Sequence, residues 1–76
     1  MHAAFIMMVT EKGKAWDVVE KVKKIKGVKA VHAVTGPYDV IAYVEVEDLS
    51  KRLKNIISKI HKIDEVDMTL TAIAVH

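Results

Sequence analysis

Seventy-six residues without a cysteine make one small domain with no disulfide framework and no thiol chemistry, and no apolar run approaches the roughly 18 residues of a spanning helix. A net charge of +2, from 12 basic and 10 acidic groups, gives no nucleic-acid footprint by itself. With 51% hydrophobic residues, the chain carries more apolar material than one thin layer hides, since a domain this short buries only about 60% of its unfolded surface. Self-association is the simplest outlet for the excess.

The opening Met1-His2-Ala3-Ala4-Phe5-Ile6-Met7-Met8-Val9 has neither the basic leader nor the small-residue cleavage site of a signal peptide. Ala3–Val9 is therefore predicted as the first strand, and a cytoplasmic location is expected. Thr10–Lys14 forms a loop, and from Ala15 the positions Val18, Val19, Val22 and Ile25 recur at helical spacing. Lys21, Lys23, Lys24 and Lys26 fall on the other face or near the helix end, where cations suit the dipole, and Gly27 is a C-terminal stop.

Val28–Thr35 and Asp39–Glu47 are predicted as the second and third strands. Gly36-Pro37 turns the chain between them, because proline cannot donate to a ladder. Asp48 can cap a second helix, on which Leu49, Leu53, Ile56, Ile57 and Ile60 form one stripe. Val66–Val75 is the fourth strand, with Asp67, Thr69 and Thr71 alternating against Val66, Met68 and Leu70. Lysine predominates over the single Arg52, there is no glutamine, and Asn55 is the only asparagine. That bias points to a thermophile.

The order βαββαβ, closed by right-handed crossovers, gives an α+β, ferredoxin-like domain: a four-stranded antiparallel sheet with both helices on one face. Its first and third strands lie in the middle, and both are apolar on both sides. Phe5, Met7 and Val9 oppose Ile6 and Met8; Val40, Ala42, Val44 and Val46 oppose Ile41 and Tyr43. Helices cover only one face, so a second copy of the sheet is predicted to cover the other, as a dimeric α+β barrel or sandwich.

No catalytic set is legible. Of the four histidines, His2 and His76 are terminal, His61 ends a helix, and His32 shares a strand face with Val28, Ala30 and Val34. None makes a metal-ligand spacing, and no cofactor is expected. Ser50 and Ser58 lack a nearby base, and Gly27 and Gly36 do not form a phosphate-cradling loop. An RNA-recognition reading of Gly36–Val44 fails for want of a basic residue before the glycine and of exposed aromatics. A small dimeric barrel enzyme, oxygenase- or isomerase-like, would have to rely on His32 or Tyr43.

The turn itself reads two ways. As structure, Gly36-Pro37 makes the hairpin, Tyr38 packs at its edge and Asp39 accepts from nearby amides. As a site, Gly36 lets a ligand approach the backbone, free N–H groups receive a carboxylate and Asp39 holds an ammonium. Thr69 and Thr71 could add hydroxyls. An α-amino acid offers both charges.

Val28–Asp39, Val44–Leu49 and Ile63–Thr71 together carry the pattern V…V…V-T-G-x-Y-D followed by T-x-T in the last strand. In this the chain resembles, along essentially its whole length, the C-terminal effector-binding (RAM) module of the Lrp/AsnC transcription regulators. The resemblance implies a βαββαβ fold, a homodimer formed through the sheets, and assembly into octamer or decamer rings. It implies a small effector, typically an amino acid, bound between dimers. The ligand-binding positions it implies are Ala33, Gly36, Tyr38, Asp39, Leu49, Thr69 and Thr71. Full-length members carry an N-terminal helix-turn-helix, whereas this chain starts at its first strand and resembles the stand-alone form. Direct DNA binding is therefore not expected; partnership with full-length regulators is. A purely structural oligomerisation module is the further alternative, kept open by Pro37, which removes a turn donor.

Overall fold

The computed structural model describes residues 1–75; His76 lies outside them. The elements follow as β1 (His2–Thr10), α1 (Ala15–Val22), β2 (Val28–Ala33), β3 (Val40–Val46), α2 (Lys54–His61) and β4 (Val66–Ile73). The four strands form one antiparallel sheet in the order β2-β3-β1-β4, which puts the first and third strands in the middle. This is the ferredoxin-like arrangement read from the sequence.

Alternation on the central strands decides which side the helices cover. Ala4, Ile6 and Met8 of β1 and Val40, Ala42 and Val44 of β3 are fully buried. They meet Val18, Val19 and Val22 of α1 and Ile56 and Ile60 of α2, with Leu53 just before α2. Each such aliphatic side chain contributes about 1.5–3 kcal/mol relative to exposure, so this single layer supplies most of the stability of the chain. The predicted stripes are the buried ones, with Leu49 and Ile57 at the margin of the core.

Both helices differ from the prediction at one end. α1 stops at Val22 rather than running toward Gly27. The chain then tightens into three-residue turns, with the Ile25 amide donating to the Val22 carbonyl and the Val28 amide to that of Ile25. This winding satisfies the last carbonyls and still delivers Ile25 to the core. Gly27, at φ +100°, then turns the backbone into β2. The stretch before α2, Leu49–Leu53, is wound as π-helix, and Asp48 caps it as expected. The Asp48 Oδ1 atom accepts from the amides of Lys51 at 2.6 Å and Arg52 at 3.2 Å. Those backbone hydrogen bonds hold its carboxyl below the usual carboxylate range.

The outer strands are shorter than predicted, and β2 carries a register shift between Val28 and Ala30. Val28 pairs with buried Val44, whereas Ala30 and His32 pair with Tyr43 and Ile41 on the opposite face. The bulge thus separates Val28 from His32, which simple alternation had placed together. Lys21 of α1 clasps Glu65, just before β4, at 2.9 Å from its ammonium to both carboxylate oxygens. That contact raises the lysine pKa and lowers the glutamate pKa.

Candidate functional site

The loop from β2 to β3 is bracketed by hydrogen bonds at its base. The Val34 amide donates to the Asp39 carbonyl, and the Asp39 amide donates to the Met8 carbonyl of β1, both at 2.9 Å. Between them Gly36 sits exposed at φ +121°, with nothing within 4 Å of where a Cβ would stand. Tyr38 and Asp39 are half-buried behind it.

Asp39 has a partner that the sequence does not disclose. Its Oδ2 accepts from the amide of Thr10, 29 residues away, at 2.9 Å. Thr10 is the buried end of β1, so the carboxylate closes a backbone donor there and fixes the loop against the central strand. No other hydrogen bond to the Asp39 carboxylate occurs among the described residues.

The seven predicted site residues divide into three groups. Gly36, Tyr38 and Asp39 share the loop, with exposed Ala33 at its base opposite Val40. Thr69 and Thr71 lie on β4, opposite Met8 and Ile6, and turn toward the helix-covered side. Met8 therefore stands between Asp39 and Thr69 across the sheet. Leu49 lies beyond the far end of β3, half-buried against the core, and within one chain it does not join the others. Thr69 has a neighbour that periodicity did not flag: its Oγ1 lies 2.9 Å from the Nε2 of His61 at the end of α2.

The other face of the sheet is open. Phe5, Met68 and Leu70 stand 42%, 58% and 50% exposed on it. On β4 the apolar residues Met68 and Leu70 take this side, opposite Val9 and Met7, and the threonines take the covered one. Phe5 and Tyr43 meet with ring centroids 5.2 Å apart at 47°. The Tyr43 hydroxyl donates to Glu45 at 2.7 Å, which raises the phenol pKa. Tyr43, half-buried, and His32, exposed, both lie on this open face. No metal-holding group of His, Asp and Glu occurs among the described residues, and no helix is long and apolar enough to cross a membrane.

Residues 3–76 match the family model described as the Lrp/AsnC ligand binding domain. An HTH-type transcriptional regulator of Pyrococcus horikoshii, PH0140, is 37% identical over 70 residues, covering 92% of this chain and 44% of its own. The chain thus spans less than half the length of that relative. The crystal structure of the hypothetical protein PHS023 from Pyrococcus horikoshii superposes with a TM-score of 0.88 at 42% identity, over 100% of this chain and 92% of that one. The transcriptional regulator NMB0573 of Neisseria meningitidis, solved as an L-Met complex, shares the fold at 18% identity and a TM-score of 0.82, over 99% of this chain and 50% of its own.

Proposed function

The chain belongs to the Lrp/AsnC ligand-binding domain family, a family of regulators rather than enzymes, and from that premise we propose that it is an amino-acid-sensing regulatory module. Its subunits pair through the open sheet face, and the pairs assemble into an octamer or decamer ring. A small effector binds where pairs meet, at the loop holding Gly36, Tyr38 and Asp39, with Ala33 and Leu49 bordering its side chain and Thr69 and Thr71 nearby. The observation that carries the reading is the loop itself. It exposes a glycine backbone and presents an anchored carboxylate, the complement of an α-amino acid. The Neisseria regulator of the same fold was solved as an L-Met complex, which supports an amino acid as the ligand proposed here.

Effector bound between pairs changes the free energy of their contact, and by reciprocity assembly changes effector affinity by the same factor. Full-length regulators of the family would offer alike surfaces and are the expected partners. The test is calorimetry of the chain against the amino acids, with Asp39→Asn as the informative variant. Asparagine keeps an oxygen for the Thr10 amide but removes the charge that pairs an ammonium. We expect one amino acid or a chemically related group to bind, and the variant to lose about tenfold or more. Absence of binding by every amino acid at millimolar concentration would sink the reading.

A further inference from the structure

At the end of the sheet away from the Gly36 loop, a cleft of about 290 Å³ opens between α2 and the ends of β2 and β3. Its rim carries Lys26, Lys29, Arg52 and Lys59, all exposed. The ion pairs among the described residues join Lys14 to Asp17, Lys21 to Glu65 and Lys23 to Glu20, so none engages these four. Glu45 and Glu47 also line the cleft, and the Glu45 carboxylate accepts from Tyr43 of the open face. Four cations against two carboxylates leave a formal +2 at the cleft, equal to the net charge of the whole chain. The floor is apolar, from Val46 and Ile56, and Asn55 adds an amide beside Arg52.

We propose that this cleft binds a small phosphate-bearing anion. A guanidinium offers a planar fork to phosphate oxygens, and ammonium groups add point charges around it. Unpaired cations gathered at one concavity attract a multiply charged anion more than a single carboxylate. The apolar floor and the Asn55 amide suit an organic group attached to the phosphate. The volume lies at the small end for ligand pockets, which fits a compact metabolite rather than a polymer. The site is independent of the amino-acid reading, since it shares no residue with the Gly36 loop.

The experiment is calorimetric titration of the intact chain with pyrophosphate at low ionic strength, repeated with Arg52→Ala, Lys59→Ala and, as a control, Lys12→Ala. Each variant is first checked for an unchanged thermal melt. Wild-type chain should saturate at one pyrophosphate per subunit. Arg52→Ala and Lys59→Ala should each weaken binding about tenfold, and Lys12→Ala should leave it unchanged. No saturation up to about 10 mM overturns the proposal. So does equal weakening by Lys12→Ala, which would make the effect one of bulk charge. Displacement of pyrophosphate by duplex DNA, with DNA the tighter ligand, would assign the cleft to nucleic acid instead.

Discussion

Replacement of Gly27 by alanine tests how the end of α1 is locked against α2. Gly27 has φ +100°, and a Cβ placed there meets the Cδ1 of Ile56 at 2.8 Å. Ile56 is 3% exposed, but this Cδ1 is the far end of its side chain and borders the cleft beside Gly27, so a turn about its last torsion relieves part of the clash. Backbone strain of this kind costs about 1–3 kcal/mol, and displacing the Ile56 terminus adds about 0.5–1, so Gly27→Ala should destabilise by about 1.5–4 kcal/mol. For a domain of this size that lowers Tm by roughly 6–32 °C. Ile56→Val deletes the offending Cδ1 and by itself costs about 0.5–1.5 kcal/mol. The next contact, Ile56 Cγ1 at 3.7 Å, is ordinary van der Waals distance. Combining the two changes should therefore cost about 0.5–1 kcal/mol less than the sum of the single losses. Gly36→Ala is the reference, because φ +121° strains it with nothing within 4 Å to collide with; it should be indifferent to Ile56→Val. Urea denaturation followed by circular dichroism, at one fixed subunit concentration, measures the wild type and the five variants, Gly36→Ala with Ile56→Val included. Strict additivity at Gly27 and Ile56 would refute the steric half of the reasoning.

Other expectations follow from single contacts. Asp39→Ala leaves the buried Thr10 amide without its acceptor and should cost about 1–3 kcal/mol in denaturant melts, while Asp39→Asn costs less. Ile60, fully buried at the meeting of α2 and the sheet, should lose about 2–5 kcal/mol as Ile60→Ala, and a loss under about 1 kcal/mol would contradict its burial. The Asp48 carboxyl is held below its usual range in the folded chain, so its contribution is present above the unfolded pKa and disappears as pH falls through the lowered folded value. Asp48→Ala should accordingly melt lower than wild type at neutral pH, with the gap closing in acid; a gap independent of pH would contradict the assignment. Leu70→Asp puts a charge on the open face and, if subunits pair there as proposed, should give single subunits by light scattering at a micromolar concentration where the wild type is dimeric.

The order of elements was legible because each central strand is a short apolar run bounded by turn residues and each helix carries one aliphatic stripe. Ile6 with Met8, and Val40 with Val44, could be grouped on one side by alternation, but which side the helices cover was not legible because both sides are apolar, and the structure decides it. The bulge in β2 was not legible: nothing in Val28-Lys29-Ala30 distinguishes a regular strand from one with an extra residue, and the shift follows from pairing with β3. The early end of α1 is a matter of the same kind, set by where Gly27 must deliver the chain to the sheet rather than by propensity. At the loop, Gly36 and Asp39 stood out by residue type. The Thr10 amide that Asp39 holds and the imidazole beside Thr69 are products of tertiary proximity, invisible to spacing rules.

The central position of β1 has a consequence for how the chain matures. It is the first strand made, yet its ladder partners are β3, some thirty residues later, and β4 near the other end. An apolar segment thus emerges long before anything can pair with it, and the slow step of folding is the closure of these distant pairings. Nascent or partly unfolded chains expose Phe5–Val9 as an unpaired, sticky edge. Substitutions that delay β4 will therefore show first as loss of yield through aggregation, before any change in the finished molecule.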